Sequence, residues 1–143
     1  MVAICAPTGA RVQLDAHAVD EFARILRGGL IRPEDDVYDE QRRVWNGSID
    51  RYPALIARCA GAADVITAIR FAKTHGLLVA VRGGGHSFPG HSVCDGGIVI
   101  DLSAMKGIRV DPVAGTVRAQ AGVLLGELDA IHNSSDSPSL PES

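Results

Sequence analysis

The chain has 143 residues, 46% hydrophobic and only 4% aromatic, with a formal net charge of −3; this leaves room for one domain with a modest core. No Lys/Arg block exceeds Arg42-Arg43, no apolar run nears the roughly 20 residues that span a bilayer, and Met1 to Arg11 lacks a secretory pattern, which argues against nucleic-acid, membrane and exported classes. Cys5, Cys59 and Cys94 are scattered and odd in number, as expected of reduced thiols in a cytoplasmic protein rather than a disulfide framework.

Asp15 to Arg27 is predicted to be a helix, with Val19, Phe22, Ala23 and Leu26 on one stripe, Asp15 as N-cap and Gly28-Gly29 as the stop. Ile31 to Asn46 is charged and polar and reads as mostly irregular, with Trp45 as a packing anchor. Tyr52-Pro53 introduces a short strand, Ala54 to Cys59, with Leu55, Ala57 and Cys59 on one face. Gly61 to His75 is a second helix whose stripe is Val65, Ala68, Ile69 and Ala72. Asp64 favours its first turn and Gly76 sits at C′. Leu77 to Val81 is a continuous apolar strand expected to be buried on both faces. Strand, helix and strand from Ala54 to Val81 therefore form a parallel βαβ unit.

Gly97 to Asp101 is a further apolar strand. Ile108 to Val110 and Thr116 to Ala119 alternate about Asp111 to Gly115, a hairpin with a five-residue loop. Leu124, Leu125, Leu128 and Ile131 form a last amphipathic helix. Asn133 to Ser143 holds five serines and two prolines, the composition of a disordered tail. The sum is an α+β domain with a βαβ start and an antiparallel finish.

The chemistry concentrates in Val81-Arg-Gly-Gly-Gly-His-Ser87. Three glycines after a strand leave main-chain N–H groups free to close around a bulky anion. The run lacks the Lys-Ser/Thr of a P-loop, and the register of Gly-x-Gly-x-x-Gly fails at Phe88. His86 is the residue able to act as nucleophile or base, with a histidine bonding its own loop as the bland alternative. A zinc site from His86, His91 and Cys94 has compact spacing but no fourth ligand. Cys94 reads better as apolar filler and Asp95-Gly96 as a turn. Asp101 suits capping of a turn at its strand end, and Ser87 and Ser92 have no partners for a catalytic triad.

The stretch Val81 to Asp111, with Tyr52-Pro53 and the Ala62 to Ala72 helix before it, resembles the berberine-bridge-enzyme-like branch of FAD-linked oxidases. These carry an FAD-binding domain of the p-cresol methylhydroxylase/vanillyl-alcohol oxidase type, of which this chain would be the N-terminal subdomain. The resemblance runs from about Val44 to Asp129. It implies that main-chain N–H groups of Arg82, Gly83, Gly84, Gly85, His86 and Ser87 wrap the FAD pyrophosphate. It implies too that His86 bonds covalently to the flavin 8α-methyl carbon, with His91 and Ser92 close by. In full-length relatives the reaction implied is substrate oxidation by hydride transfer to flavin, with O2 as acceptor.

The family's second flavin segment and its substrate domain have no counterpart here, so no catalytic residue and no metal ligand is assigned. The expected organisation is a helix and irregular lead-in over 1–43, a partial FAD-binding domain over 44–132 and a non-family tail over 133–143, as in a truncated or frame-shifted product. FAD is the expected partner, a small-molecule substrate belongs only to a full-length relative, and the chain alone is expected to lack oxidase activity. Two alternatives stand beside this: a non-catalytic fragment that binds no cofactor, and a small metal-binding module.

Overall fold

The computed structural model describes residues 2–43, 47–83 and 93–132. Its first element is a hairpin that the lead-in gave no strong sign of: β1 (Val2–Cys5) pairs antiparallel with β2 (Arg11–Leu14). The turn between them contains Pro7, Thr8 and Gly9, and Gly9 takes a positive φ of 84°. Helix α1 (Ala16–Ile25) follows, with the Asp15 carboxylate accepting from the His17 N–H as the expected N-cap.

Residues 31–43 are more regular than their composition suggests, while Trp45, read as a packing anchor, lies outside the described residues. Strand β3 (Leu30–Ile31) and helix α2 (Tyr38–Gln41) lie at the start and middle of that stretch. A two-residue strand and a four-residue helix are too short to leave a periodic signal, and β3 owes its form to its partner. That partner is β4 (Leu55–Arg58), antiparallel to it. Helix α3 (Ala62–His75) ends on Gly76 at a φ of 64°, the left-handed conformation that favours glycine there.

Strand β5 (Val79–Arg82) and strand β6 (Ile98–Asp101) complete a four-stranded sheet of order β3-β4-β6-β5. Both β4 and β5 run parallel to β6. The βαβ unit is thus present, but β6, later in sequence, is inserted between its two strands. This placement corrects the expectation for β5. It is an edge strand, and Val79 and Val81 face solvent while Ala80 and Arg82 are buried. An apolar run alone does not reveal whether a strand lies at the centre or the edge of a sheet.

The sheet separates two apolar clusters. One holds Leu55, Ala57, Ile98 and Ile100 against Val19, Phe22 and Leu26 from α1 and around it, Ala68 and Ala72 of α3, and Ile4 and Leu14 of the hairpin. The other gathers Ile56, Ala80 and Val99 with Ile31, Tyr38, Val93 and Cys94. Ile69, expected in the buried stripe of α3, is exposed, and Asp64 is buried instead. The carboxylate finds three main-chain donors there, which offsets the cost of burying its charge.

The antiparallel finish is as expected: β7 (Ile108–Asp111) pairs with β8 (Thr116–Ala119). Asp111 ends β7 rather than starting the loop, and its carboxylate accepts from the Val113 and Ala114 N–H groups. Helix α4 (Leu125–His132) closes the described chain, with Leu125 75% exposed. No helix among the described residues is long and apolar enough to cross a membrane. The tail assigned to 133–143 lies outside the described residues.

Candidate cofactor site

The glycine run leaves β5 at the carboxyl end of the parallel strands, the edge where open α/β sheets bind ligands. Of the eight residues assigned to the cofactor, Arg82 and Gly83 are described; Gly84, Gly85, His86, Ser87, His91 and Ser92 lie outside the described residues.

Arg82 is buried, and its guanidinium faces Asp101 at the end of β6, where the register sets the two residues opposite each other. Arg82 Nη2 lies 3.1 Å from Asp101 Oδ2, with the two side chains only 7% and 1% exposed. Arg82 Nη1 also donates to the Arg43 carbonyl at 3.3 Å. Asp101 Oδ1 in turn accepts from the Ser103 N–H at 3.0 Å, the turn-capping role expected of it. The ion pair is the part that the sequence did not disclose. The Leu102 N–H closes the junction on the Arg82 carbonyl at 2.7 Å.

Gly83 leaves this junction in a tight place. A Cβ there would lie 2.4 Å from the Ala121 carbonyl oxygen, and one on Gly122 would lie 2.3 Å from that of Leu102. The segment before α4 is therefore packed on the carboxyl ends of β5 and β6, and glycine at both positions is a steric requirement. Gly122 was not among the expected site residues.

A second polar anchor lies just beyond the end of β4. The Asp64 carboxylate accepts from the N–H groups of Arg27 and Gly28, each at 3.0 Å, and of Ala60 at 2.9 Å. Burial opposes its ionisation, yet these three donors and the charge of Arg27 hold its carboxyl below the usual aspartate value. An acidic residue in the first turn of α3, three positions after Gly61, was the available signal. Its partners on Arg27 and Gly28 were not.

This arrangement fits a flavin pyrophosphate in one particular way. The Arg82 guanidinium is committed to Asp101 and the Arg43 carbonyl, so it is not the counter-charge of a bound anion. The resemblance implied main-chain N–H groups of the glycine run as the phosphate donors, and of these residues only Arg82 and Gly83 are described. Cys94 suits a metal poorly: its sulfur is buried beside the Ile98 carbonyl, and burial pushes the thiol up to about 11, away from the thiolate a metal needs. His86 and His91, the other members of that candidate site, lie outside the described residues. Among the described residues no cluster of three or more His, Cys, Asp or Glu could hold a metal ion.

A family model described as an FAD binding domain matches residues 53–136. The chain is 40% identical over 103 residues to (R)-6-hydroxynicotine oxidase of Paenarthrobacter nicotinovorans, covering 72% of this chain and 22% of that protein. An FAD-linked oxidoreductase of Dictyostelium discoideum is 34% identical over 112 residues, covering 78% and 24%. Among solved structures, BBE-like 1 of the moss Physcomitrella patens superimposes with a TM-score of 0.74 at 28% identity, covering 81% of this chain and 26% of its own. The chain thus spans about a quarter or less of these relatives' length. Because the matched segment takes in more than half of these residues, including β4, α3, β5, β6 and the junction at Arg82, this chain belongs to the FAD-binding-domain family of FAD-linked oxidoreductases.

Proposed function

We propose that the chain holds the FAD pyrophosphate of a flavin-dependent oxidoreductase through the main chain of Arg82 to Ser87, with His86 as the point of covalent flavin attachment. The observation that carries this is the junction at Arg82. It starts the glycine run at the carboxyl edge of a parallel sheet with the neighbouring arginine already paired, which supports the backbone as donor. FAD, when bound, supplies the two-electron acceptor for substrate oxidation. Hydride transfer from a small molecule and reoxidation by O2 belong, on this reading, to the longer architecture of the relatives. The free thiols of Cys5, Cys59 and Cys94 support a cytoplasmic setting.

The test is to express the full chain with excess FAD, denature it in acid and look for flavin fluorescence that migrates with the protein. Fluorescent protein that becomes colourless in His86→Ala is the expected result. Colourless protein without any thermal stabilisation by FAD would overturn the reading.

A further inference from the structure

The register of the β7–β8 hairpin sets Arg109 directly opposite Arg118. Side chains alternate between the two faces of a strand, so both arginines project from one face, beside Gln120 and the bare backbone of Gly107. Both are exposed. Like charges directly opposite on a two-stranded ribbon repel and weaken the pairing. No ion pair relieves this repulsion among the described residues. Asp111, the next acidic residue on the same face, gives its carboxylate to the Val113 and Ala114 N–H groups, each at 3.1 Å. Lys106 and Glu127 already pair with each other at 2.7 Å.

The surface is hollow at this point. A depression of about 310 Å³ is lined by Gly107, Ile108, Arg109, Arg118, Ala119 and Gln120, and of these only the two arginines are charged. Gln120 Oε1 accepts from the Gly107 N–H at 2.7 Å, which leaves its carboxamide nitrogen as a further donor. The depression therefore offers donors and positive charge, in a volume at the lower end of small-molecule sites (roughly 300–1,000 Å³).

We propose that the Arg109–Arg118 face of the hairpin binds the phosphate group of a small soluble molecule. A phosphate monoester carries nearly two negative charges at neutral pH, enough to balance both arginines, and its oxygens match the guanidinium fork bidentately. A carboxylate carries one charge and would leave part of the repulsion in place. Two cations are too few for an anionic membrane, where clusters of about 4–8 Lys/Arg are the usual signal. They are also short of the dense basic patch of a nucleic-acid surface. The site lies on a different element from the glycine run and does not depend on the FAD-binding reading.

The experiment titrates glycerol phosphate into the full chain without flavin, at neutral pH and constant ionic strength, and follows the backbone amides by NMR. The amides of Arg109, Arg118 and Gln120 should shift and saturate, and acetate should bind about tenfold more weakly because it carries half the charge. Arg109→Met and Arg118→Met should each weaken glycerol phosphate binding by about tenfold, the scale of one lost charge-assisted contact. Arg109→Lys should lose less, since it keeps the charge but not the fork. Arg24→Met, on α1, should change nothing. Without ligand, either methionine variant should melt no lower than the parent, because it relieves the repulsion. A lower melting temperature in both would remove the repulsion on which the proposal rests. Shifts confined to other amides, equal binding of acetate, or unaltered affinity in both methionine variants would each overturn the proposal. Binding to phosphatidic acid vesicles without binding to glycerol phosphate would overturn it too, and would assign the face to a lipid headgroup.

Discussion

The central sheet and the β7–β8 hairpin with α4 are both regular, but they are stabilised differently. In β4 and β6, Leu55, Ile56, Ala57 and Ile98 to Ile100 are all buried, and the flanking α1 and α3 cover one face. No residue of β7 or β8 is buried, and Val113 at the hairpin turn is almost fully exposed. The hairpin is specified by its ladder, by the Asp111 turn and by Gly115 at a φ of 67°. The sheet draws on apolar burial and on charges that are paired out of water. The same type of interaction should therefore have very different weight in the two regions.

The largest contrast lies in their ion pairs. Asp101→Ala leaves the buried Arg82 cation without its partner and should cost about 3–5 kcal/mol in urea denaturation. Removing Glu127, which pairs with Lys106 at 2.7 Å on the surface and caps the Leu124 N–H, should shift the midpoint far less. Equal shifts would break the comparison. A second contrast uses apolar truncation. Ile98→Ala in β6 should cost about 2–5 kcal/mol. The half-buried Val117 of β8, truncated to alanine, should cost about 1 kcal/mol or less.

The smallest effect is on acid stability. The carboxyl of Asp64 titrates below its usual value of 3.8 in the folded chain. Its stabilisation is therefore complete above the unfolded value and is lost as pH falls through the lower, folded one. Asp64→Asn should lower stability at neutral pH and flatten the loss below about pH 4. If the variant keeps the same acid slope as the parent, the three main-chain donors do not favour the ionised form.

Much of the fold was legible because its signals are local. The α1 stripe and its Asp15 cap, the α3 stripe with Gly76, and the alternation around Asp111 each lie within about a dozen residues. The candidate site was legible as a motif but not as a junction. Arg82 and the glycines stand out in the sequence, yet nothing there says that Arg82 faces Asp101 rather than a ligand. Asp64 was visible only as an acidic residue in a first turn, since its donors at Arg27 and Gly28 lie 37 and 36 positions away. Gly122 gave no signal of its own in the sequence, because the carbonyls of Leu102 and Ser103 that crowd it come from a distant segment.

By itself the sequence determined where α1, α3, α4 and strands β4 to β8 form, how α1 and α3 are capped, and that a glycine run with Arg82 and His86 follows a strand. Those properties depend on side-chain period and backbone preference, which neighbours in the chain encode. The tertiary structure alone decided that β6 enters between β4 and β5. That insertion makes β5 an edge, turns Val81 outward at 53% exposure and sets Arg82 opposite Asp101. Parallel pairing joins strands that are distant in sequence, so its order is selected by which arrangement buries the apolar faces and pairs the charges together.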